Sequence, residues 1–300
     1  MTTVDKKKYK VIGTSPIRHD GADKVTGRAV YGIDYHMPGM LWGKILRSPH
    51  AHAKIKSIDA SKALALPGVH AVVTGKDMAV AADIEVEAGE TSLNYMHLSD
   101  NVMARAKGLY KGHAVAAVAA DTQHIAEEAL ALIDVDYEVL TPVLNGREGM
   151  KADVPLIHPD QTTKVMAFRF DPGTDTGEKS NVAGRSQLKL GDIDAGFKEA
   201  DFIVEREFTT SWVHQGYIEA QNATAHWNND DNITVWNSSQ GTFNQRQLMA
   251  EILKHPVSQI KMVPLEIGGG FGGKIPVYLE VPAAMLSKKT GHPVKMTMTR

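Results

Sequence analysis

The glycine-rich stretch EIGGGFGGKIP, residues 266–276, limits the possible folds of this chain more than any other part of its sequence. Five glycines fall within the six positions 268–273, interrupted only by Phe271 and followed by Lys274. Glycine adopts positive φ and lets the main chain come within hydrogen-bonding distance of a ligand. The preceding SQIKMVPLEI predicts a strand, and Pro276 predicts the first turn of a helix. Unpaired N–H groups at such a junction attract anionic oxygen, so the stretch predicts a loop that binds an anion-bearing ligand.

Two nucleotide-binding patterns fit the glycine spacing, and neighbouring residues argue against both. Gly268, Gly273 and Lys274 match G-x-x-x-x-G-K, the start of a P-loop. The next residue, Ile275, lacks the hydroxyl that holds magnesium in such a loop. The spacing also fits G-x-G-x-x-G, but the strand-like segment that follows ends in Arg300, not in the acidic residue that binds a ribose. A nucleotide-binding enzyme and a purely structural glycine turn stay open as alternatives.

Composition narrows the possible partners and locations. A formal net charge of -2 gives no reason to expect nucleic acid, and the basic run at positions 6–8 is expected to be a solvated tail. The chain has no cysteine, so it carries no disulfide, thiolate zinc site or iron–sulfur cluster of its own. No apolar run reaches the ~20 residues of a membrane span, and the N-terminus shows no export signal. A cytoplasmic protein without membrane contact is expected.

The pattern along the chain predicts an α+β fold in three parts. Residues 1–144 contain strands at 39–48 and 70–74, then a strand–helix–strand unit in HAVAAVAA, QHIAEEALALI and DVDYEVL, with Asp121 and Thr122 as helix caps. Residues 145–186 are rich in Pro, Gly, Asp and Thr and predict a connecting segment. Residues 187–300 resume regular structure.

In the third part, the helix of GDIDAGFKEAD is expected to begin at Asp192, and FIVEREFTT alternates as a strand does. ATAHW and NITVWNSS predict a hairpin, and FNQRQLMAEILKH predicts a helix that Pro256 ends. The helix expected from Pro276 is interrupted by Pro282 and ends at Gly291. HPVKMTMTR predicts the last strand.

Several segments resemble those of one family, and they occur in that family's order. The stretches GADKVTGRAVYGIDYHMPGMLWGKILRSPHAHAKIKSIDASKALALPGVHAVVTGKD and YKGHAVAAVAADTQHIAEEALALIDVDYEVLTPV resemble its a/b hammerhead domain. HQGYIEAQNATAHW resembles its His-x-x-x-(Met/Ile)-Glu-Pro segment, with Ala220 where proline is usual. VWNSSQGTFNQRQLMAEIL resembles the segment whose glutamine lies beside molybdenum, and GGGFGGK resembles the cofactor loop. The chain thus resembles the molybdenum hydroxylases, the xanthine dehydrogenase and aldehyde oxidase family, over nearly its whole length.

The resemblance implies a fold, a cofactor and an activity. A hammerhead domain would be followed by the first, incomplete part of a molybdopterin-binding domain. The cofactor would be molybdenum held through molybdopterin, in its cytosine dinucleotide form, with no direct protein ligand to the metal. The oxidoreductase would insert water-derived oxygen into an aldehyde or N-heteroaromatic substrate. Electrons would leave through [2Fe–2S] clusters to FAD on partner subunits of a hetero-oligomer, which agrees with the absence of cysteine here.

The resemblance also assigns residues to the site. Gln240 is expected to donate its side-chain amide to an oxygen near molybdenum. Gly269, Gly270, Phe271 and Gly272 are expected to line the cofactor, with main-chain N–H groups that hold oxo or pterin oxygens. The Phe271 ring is expected to form a wall of the substrate funnel, so Gln240 and Phe271 are the two expected catalytic residues. Without the resemblance, a surface amide and a core phenylalanine would be the simpler interpretations.

Four further residues are weaker candidates. His214 and Glu219 lie in the segment that resembles the family, but a packed, hydrogen-bonded role is expected for His214. The spacing of His50 and His52 suggests a metal site, but two nitrogens without a nearby carboxylate favour a structural role.

The family's subunit is more than twice as long as this chain, and no residue here matches the motif of its general-base glutamate. The chain is therefore expected to be half of a split molybdenum subunit or a truncated one, with an apolar, glycine-lined face that a partner covers. Ile275 falls where some purine-oxidising members place an acidic contact, which argues against a purine substrate. A non-catalytic scaffold or assembly subunit is the alternative function.

Overall fold

The computed structural model describes residues 9–87, 92–167 and 173–299, so the basic run at 6–8 and Arg300 lie outside it. The helices are α1 Gly21–Thr26, α2 Ser61–Leu64, α3 Tyr95–Val102, α4 Gln123–Ala131, α5 Gly146–Gly149, α6 Ile193–Glu199, α7 Thr242–Leu253 and α8 Glu280–Thr290. The strands are β1 Leu41–Arg47, β2 Ala53–Asp59, β3 Val69–Thr74, β4 Glu85–Glu87, β5 Ser92–Asn94, β6 Lys107–Gly108, β7 Ala114–Ala120, β8 Asp134–Val139, β9 Lys164–Met166, β10 Thr174–Asp175, β11 Gly184–Ser186, β12 Asn222–Trp227, β13 Ile233–Asn237, β14 Ile260–Pro264 and β15 Val294–Thr297. Within these ranges, no helix has the length and apolar character needed to cross a membrane.

One seven-stranded sheet runs through both ends of the chain, in the order β14-β13-β12-β15-β1-β7-β3. The pairs β13–β14 and β1–β15 are parallel, and the other neighbours are antiparallel. The β1–β15 pair brings Leu41 beside Val294, so strands from before residue 145 and after residue 186 share the sheet. The mixture of helices with mostly antiparallel strands confirms the α+β class, while the division at 145–186 stays a prediction.

The central strand β7 explains why helices cover both faces of the sheet. All seven of its residues are buried, and they are only alanine and valine. Ala117 and Ala119 face the larger core, which includes α7 and α8, whereas Ala116 and Val118 face α4. Because successive strand residues point to opposite faces, a continuous run of small apolar residues suits a strand covered on both sides.

Helix α4 begins at the predicted cap. The Thr122 hydroxyl accepts a hydrogen bond from the Ile125 N–H at 3.2 Å, and Ala126 and Ala129 are fully buried against the sheet. The Asp192 carboxylate caps α6 in the same way, at 3.0 Å from the Ala195 nitrogen. Both caps satisfy N–H groups that have no acceptor within the helix.

Replacing Thr122 by alanine is expected to lower the free energy of unfolding by about 1 kcal/mol, because the Ile125 N–H loses its acceptor. Chemical denaturation followed by circular dichroism measures the change. Thr122→Ser keeps the hydroxyl oxygen and should leave the midpoint close to that of the unchanged protein. Equal losses in both variants would mean that the threonine methyl group, not the cap, stabilises the helix.

Two predictions for the second half of the chain are wrong. Residues 202–210 form no strand, and Phe202 and Phe208 are 91% and 87% exposed. Alternation identifies the faces of a strand, but no strand among the described residues pairs with this segment. The helix after the glycine loop begins at Glu280 rather than at Pro276. Pro282 lies in its first turn, where an N–H has no acceptor within the helix, so this proline does not interrupt it.

Other predicted elements of this half are confirmed. β12 and β13 form the antiparallel hairpin, α7 follows, and Gly291 ends α8 with a φ of 71°. In residues 145–167 and 173–186, the described part of this segment, the chain is largely irregular, apart from the short helix α5 and a small sheet of β10, β9 and β11.

Candidate functional site

The glycine loop follows β14 and has a main-chain path that side chains would obstruct. Gly269 and Gly272 have φ values of 92° and 90°, in the left-handed region that favours glycine. Phe271 shares that region with a φ of 51°, which is uncommon for a residue with a large side chain. Gly270 has no such φ, but a Cβ there would lie 2.5 Å from the Gln240 side chain. Close approach to Gln240 therefore requires glycine at position 270.

Gln240 lies between β13 and α7 and is anchored to the loop by its side-chain oxygen. Oε1 accepts hydrogen bonds from the N–H groups of Gly272 at 3.0 Å and Lys274 at 3.1 Å. Only a carbonyl oxygen can face two N–H donors, so the NH₂ group occupies the opposite side of the amide. In the parts of the chain that the structure describes, that Nε2 donates no hydrogen bond. Gln240 thus offers a free donor to a ligand.

Three consecutive main-chain N–H groups of the loop, at residues 269–271, are also free within the described ranges. The N–H groups on either side are used: one binds Glu219 and the other binds Gln240. Successive free N–H groups form an anion-binding concavity. These donors belong to the loop itself. Because α8 begins only at Glu280, the predicted helix N-terminus does not supply them.

Phe271 lies on the surface beside these donors. Its side chain is 70% exposed, so it is not part of the core. Phe243, in the first turn of α7, and Ile218, next to Glu219, are both 83% exposed. Large apolar side chains that stay exposed in the loop and in segments that contact it are typical of a surface that a ligand or partner covers.

Glu219 and Lys274 form an ion pair behind the loop, with Oε2 and Nζ 2.8 Å apart. Burial raises the pKa of Glu219, but the Lys274 ammonium and hydrogen bonds from Gly268 and Asn222 lower it more, so the pKa lies below its ordinary value. The pair was not predicted from the sequence, in which Lys274 stands out only as the residue that follows the glycine run. One sequence signal for the pair was available: Glu219 lies in a segment expected to pack. A buried carboxylate needs a cation or several hydrogen-bond donors, so a partner for Glu219 could have been sought.

Among the described residues, none of the three histidine candidates is hydrogen-bonded to residues 269–271. The packed role expected for His214 is wrong, because its side chain is exposed, but the hydrogen-bonded role is confirmed: Nδ1 accepts from the Gly216 N–H at 3.0 Å, and the ring lies 4.6 Å from that of Tyr217. The ring of His50 packs edge-on against Tyr137 at 5.1 Å, and His52 is buried. Among the residues described, no three His, Cys, Asp or Glu side chains are grouped to hold a metal ion.

Two protein-family models match the chain, one in each half. The a/b hammerhead domain of aldehyde oxidase and xanthine dehydrogenase matches residues 26–141. The molybdopterin cofactor-binding domain matches residues 175–300. The chain belongs to the aldehyde oxidase and xanthine dehydrogenase family. The predicted fold, a hammerhead domain followed by molybdopterin-binding structure, is thereby confirmed.

Relatives in this family are longer than the chain. It is 31% identical over 294 residues to the nicotinate dehydrogenase large molybdopterin subunit of Eubacterium barkeri, covering 98% of this chain and 63% of the relative. It is 33% identical over 283 residues to the carbon monoxide dehydrogenase large chain of Afipia carboxidovorans, covering 91% of this chain and 33% of that relative. Quinoline 2-oxidoreductase of Pseudomonas putida superimposes with a TM-score of 0.80 at 28% identity, covering 97% of this chain and 35% of that chain. The chain thus spans between about a third and two thirds of the family members named here.

Proposed function

We propose that this chain is the molybdopterin-binding component of a cytoplasmic molybdenum hydroxylase. Its substrate would be an aldehyde or an N-heteroaromatic compound, and electrons would pass to iron–sulfur and FAD partners. The observation that carries the proposal is the set of free donors in the glycine loop: the N–H groups of residues 269–271 beside the Gln240 amide. Such donors suit the anionic oxygens of a molybdopterin, and the proposal includes its cytosine dinucleotide form.

The residues of the loop fit this cofactor in chemistry and in space. Residues 269–271 would donate to its oxygens, and Gln240 Nε2 would donate to an oxygen near the metal. A Cβ on Gly272 would meet no heavy atom within 4 Å, so the space beside the loop is open. When bound, the cofactor supplies oxygen transfer and accepts two electrons. The exposed Phe271 ring would shield one side of the site from water and hold the substrate against it.

A partner polypeptide is part of the proposal, whether the second half of the molybdenum subunit or a separate chain. Three large apolar side chains in the loop or in segments that contact it are exposed: Phe271 lies in the loop, Ile218 precedes Glu219, and Phe243 lies in the first turn of α7. The irregular segment 202–213 adds further exposed apolar groups, among them Trp212. An apolar surface of this kind is typical of an interface. The partner would also supply the general base, because no residue here matches the family's glutamate motif.

Metal and pterin analysis of the natively purified complex tests the proposal. We expect about one molybdenum per copy of this chain and a fluorescent pterin after oxidation, because a cofactor enzyme of this type has one site. Oxidation of benzaldehyde, quinoline and nicotinate with a redox dye as electron acceptor then separates the two substrate classes. An assembled complex that lacks both molybdenum and pterin would contradict the proposal and favour the scaffold alternative.

A further inference from the structure

The carboxylate of Glu219 lies where three parts of the chain meet, and each of its oxygens accepts two hydrogen bonds. Oε1 accepts from the Gly32 N–H at 3.1 Å and from the Asn222 amide at 2.9 Å. Oε2 accepts from the Gly268 N–H at 2.7 Å and from the Lys274 ammonium at 2.8 Å. One carboxylate therefore joins the segment before β1, the segment that leads into β12 and the glycine loop.

Two glycines make this arrangement possible, one on each side of Glu219. A Cβ on Gly268 would lie 2.4 Å from the Cβ of Glu219, and a Cβ on Gly32 would lie 1.5 Å from Oδ1 of Asn222. Neither position can hold a side chain unless Glu219 or its partner moves. The first glycine of the loop thus accommodates Glu219, and only the later glycines remain for a ligand.

The ion pair of Glu219 and Lys274 is buried, with side chains 9% and 1% exposed. The Lys274 ammonium also lies over the Tyr217 ring, 5.4 Å from its centroid. Loss of one partner from a buried pair leaves an uncompensated charge and is much more disruptive than loss of an exposed pair. A change at either residue is therefore expected to move the loop.

Lys274 connects the ion pair to Gln240. Its ammonium binds Glu219, its main-chain N–H donates to Gln240 Oε1 at 3.1 Å, and its carbonyl accepts from the Gln240 N–H at 3.0 Å. A donor N–H at this place selects the oxygen side of the Gln240 amide. Together with the Gly272 N–H, the position of Lys274 thus sets where the NH₂ group of Gln240 points.

We propose that Glu219 and Lys274 are a positioning pair that sets the orientation of the Gln240 amide. The pair makes the Gln240 NH₂ group and the free N–H groups of residues 269–271 available to one ligand. The identity of that ligand rests on the function proposed above, whereas the contacts that orient the amide in the structure are made by residues of this chain. Both side chains lie behind the loop, so they act through Gln240 and need not touch the ligand.

Hydrogen exchange in the natively assembled complex tests the pair without reference to the metal. Glu219→Gln removes the charge that holds Lys274, so the amide hydrogens of residues 266–274 should exchange at least about tenfold faster than in the unchanged complex. If that change occurs in a complex that contains no molybdenum, the pair is supported while the proposed function fails. Unchanged exchange in this segment overturns the pair, whatever the metal content.

Turnover per molybdenum distinguishes positioning of Gln240 from general stabilisation. Glu219→Gln should lower kcat/KM about tenfold or more, because small displacements of a positioned group reduce rates strongly. In a complex that already carries Gln240→Ala, the same change should cost less than about twofold, since the two residues act as a unit. Equal losses in the two backgrounds would overturn the proposal.

Two further variants keep the test decisive. If Glu219→Gln prevents assembly, the double replacement Glu219→Gln with Lys274→Met leaves no unpaired buried charge and should assemble with the same loss of turnover. Turnover at the original level in that double variant overturns the proposal.

The exposed pair of Lys54 and Glu138, 3.0 Å apart, is the matched control. Lys54→Met with Glu138→Gln should change neither measurement, and a change as large as that at Glu219 would count against a specific pair.

Discussion

Gln240→Ala is expected to lower turnover per molybdenum by about 100-fold or more in the assembled complex, because loss of one positioned donor at a reacting oxygen typically costs this much. The substitution removes the free NH₂ group and also the oxygen that accepts from Gly272 and Lys274. Metal content should fall less than turnover, since the N–H groups of residues 269–271 remain. Steady-state kinetics with a redox dye, normalised to molybdenum, measures the effect.

Gln240→Glu separates the two roles of this residue. A glutamate keeps an oxygen for the two loop N–H groups but cannot donate when ionised. It should therefore preserve the loop and still lose turnover. Gln247, exposed on α7 and hydrogen-bonded to Glu251 at 3.1 Å, provides the control substitution Gln247→Ala. Turnover within twofold of the original in Gln240→Ala would support a non-catalytic scaffold.

Elements with strong local signals could be predicted from the sequence. The apolar run of β7 and the Thr122 cap of α4 carry their own information, because burial on both faces requires continuous small apolar residues and a helix start requires an acceptor. The hairpin of β12 and β13 is similar, since its two strands are close in sequence. Their pairing depends little on the rest of the chain.

Elements that depend on distant partners could not be predicted in the same way. Residues 202–210 have the alternation of a strand, but a strand forms only where another strand offers hydrogen bonds, and sequence alternation does not identify that neighbour. The parallel pairing of β1 with β15 joins segments about 250 positions apart in the sequence, with Leu41 beside Val294. No local pattern predicts such a pairing.

The glycine loop shows both situations at once. Its glycine content predicts an anion-binding loop, and the free N–H groups of residues 269–271 agree with that prediction. Which N–H groups are free depends on Glu219 and Gln240, which come from two other parts of the chain. The glycine spacing therefore suggested nucleotide-binding patterns. Which N–H groups of the loop are free is instead determined by Glu219 and Gln240, which lie outside the loop sequence.

Gly270→Ala is the second substitution with a large expected effect, a loss of turnover of about 10- to 100-fold per molybdenum. The new Cβ would lie 2.5 Å from Cδ and Oε1 of Gln240, so the glutamine side chain must move. Its oxygen would then lose the N–H groups of Gly272 and Lys274, and its NH₂ group would lose its direction. Gly196→Ala in α6, where a Cβ meets nothing within 4 Å, is the matched control and should leave turnover unchanged.

Comparison with Gly272→Ala identifies the cause of the loss. Gly272 has a φ of 90°, so alanine there strains the main chain, yet its Cβ would meet open space. Gly270 is the reverse case, with no left-handed φ but direct contact with Gln240. If the Gln240 amide controls the reaction, Gly270→Ala should lose more turnover per molybdenum than Gly272→Ala. A larger loss in Gly272→Ala would instead make the conformation of the loop, and not the direction of the Gln240 amide, the property on which turnover depends.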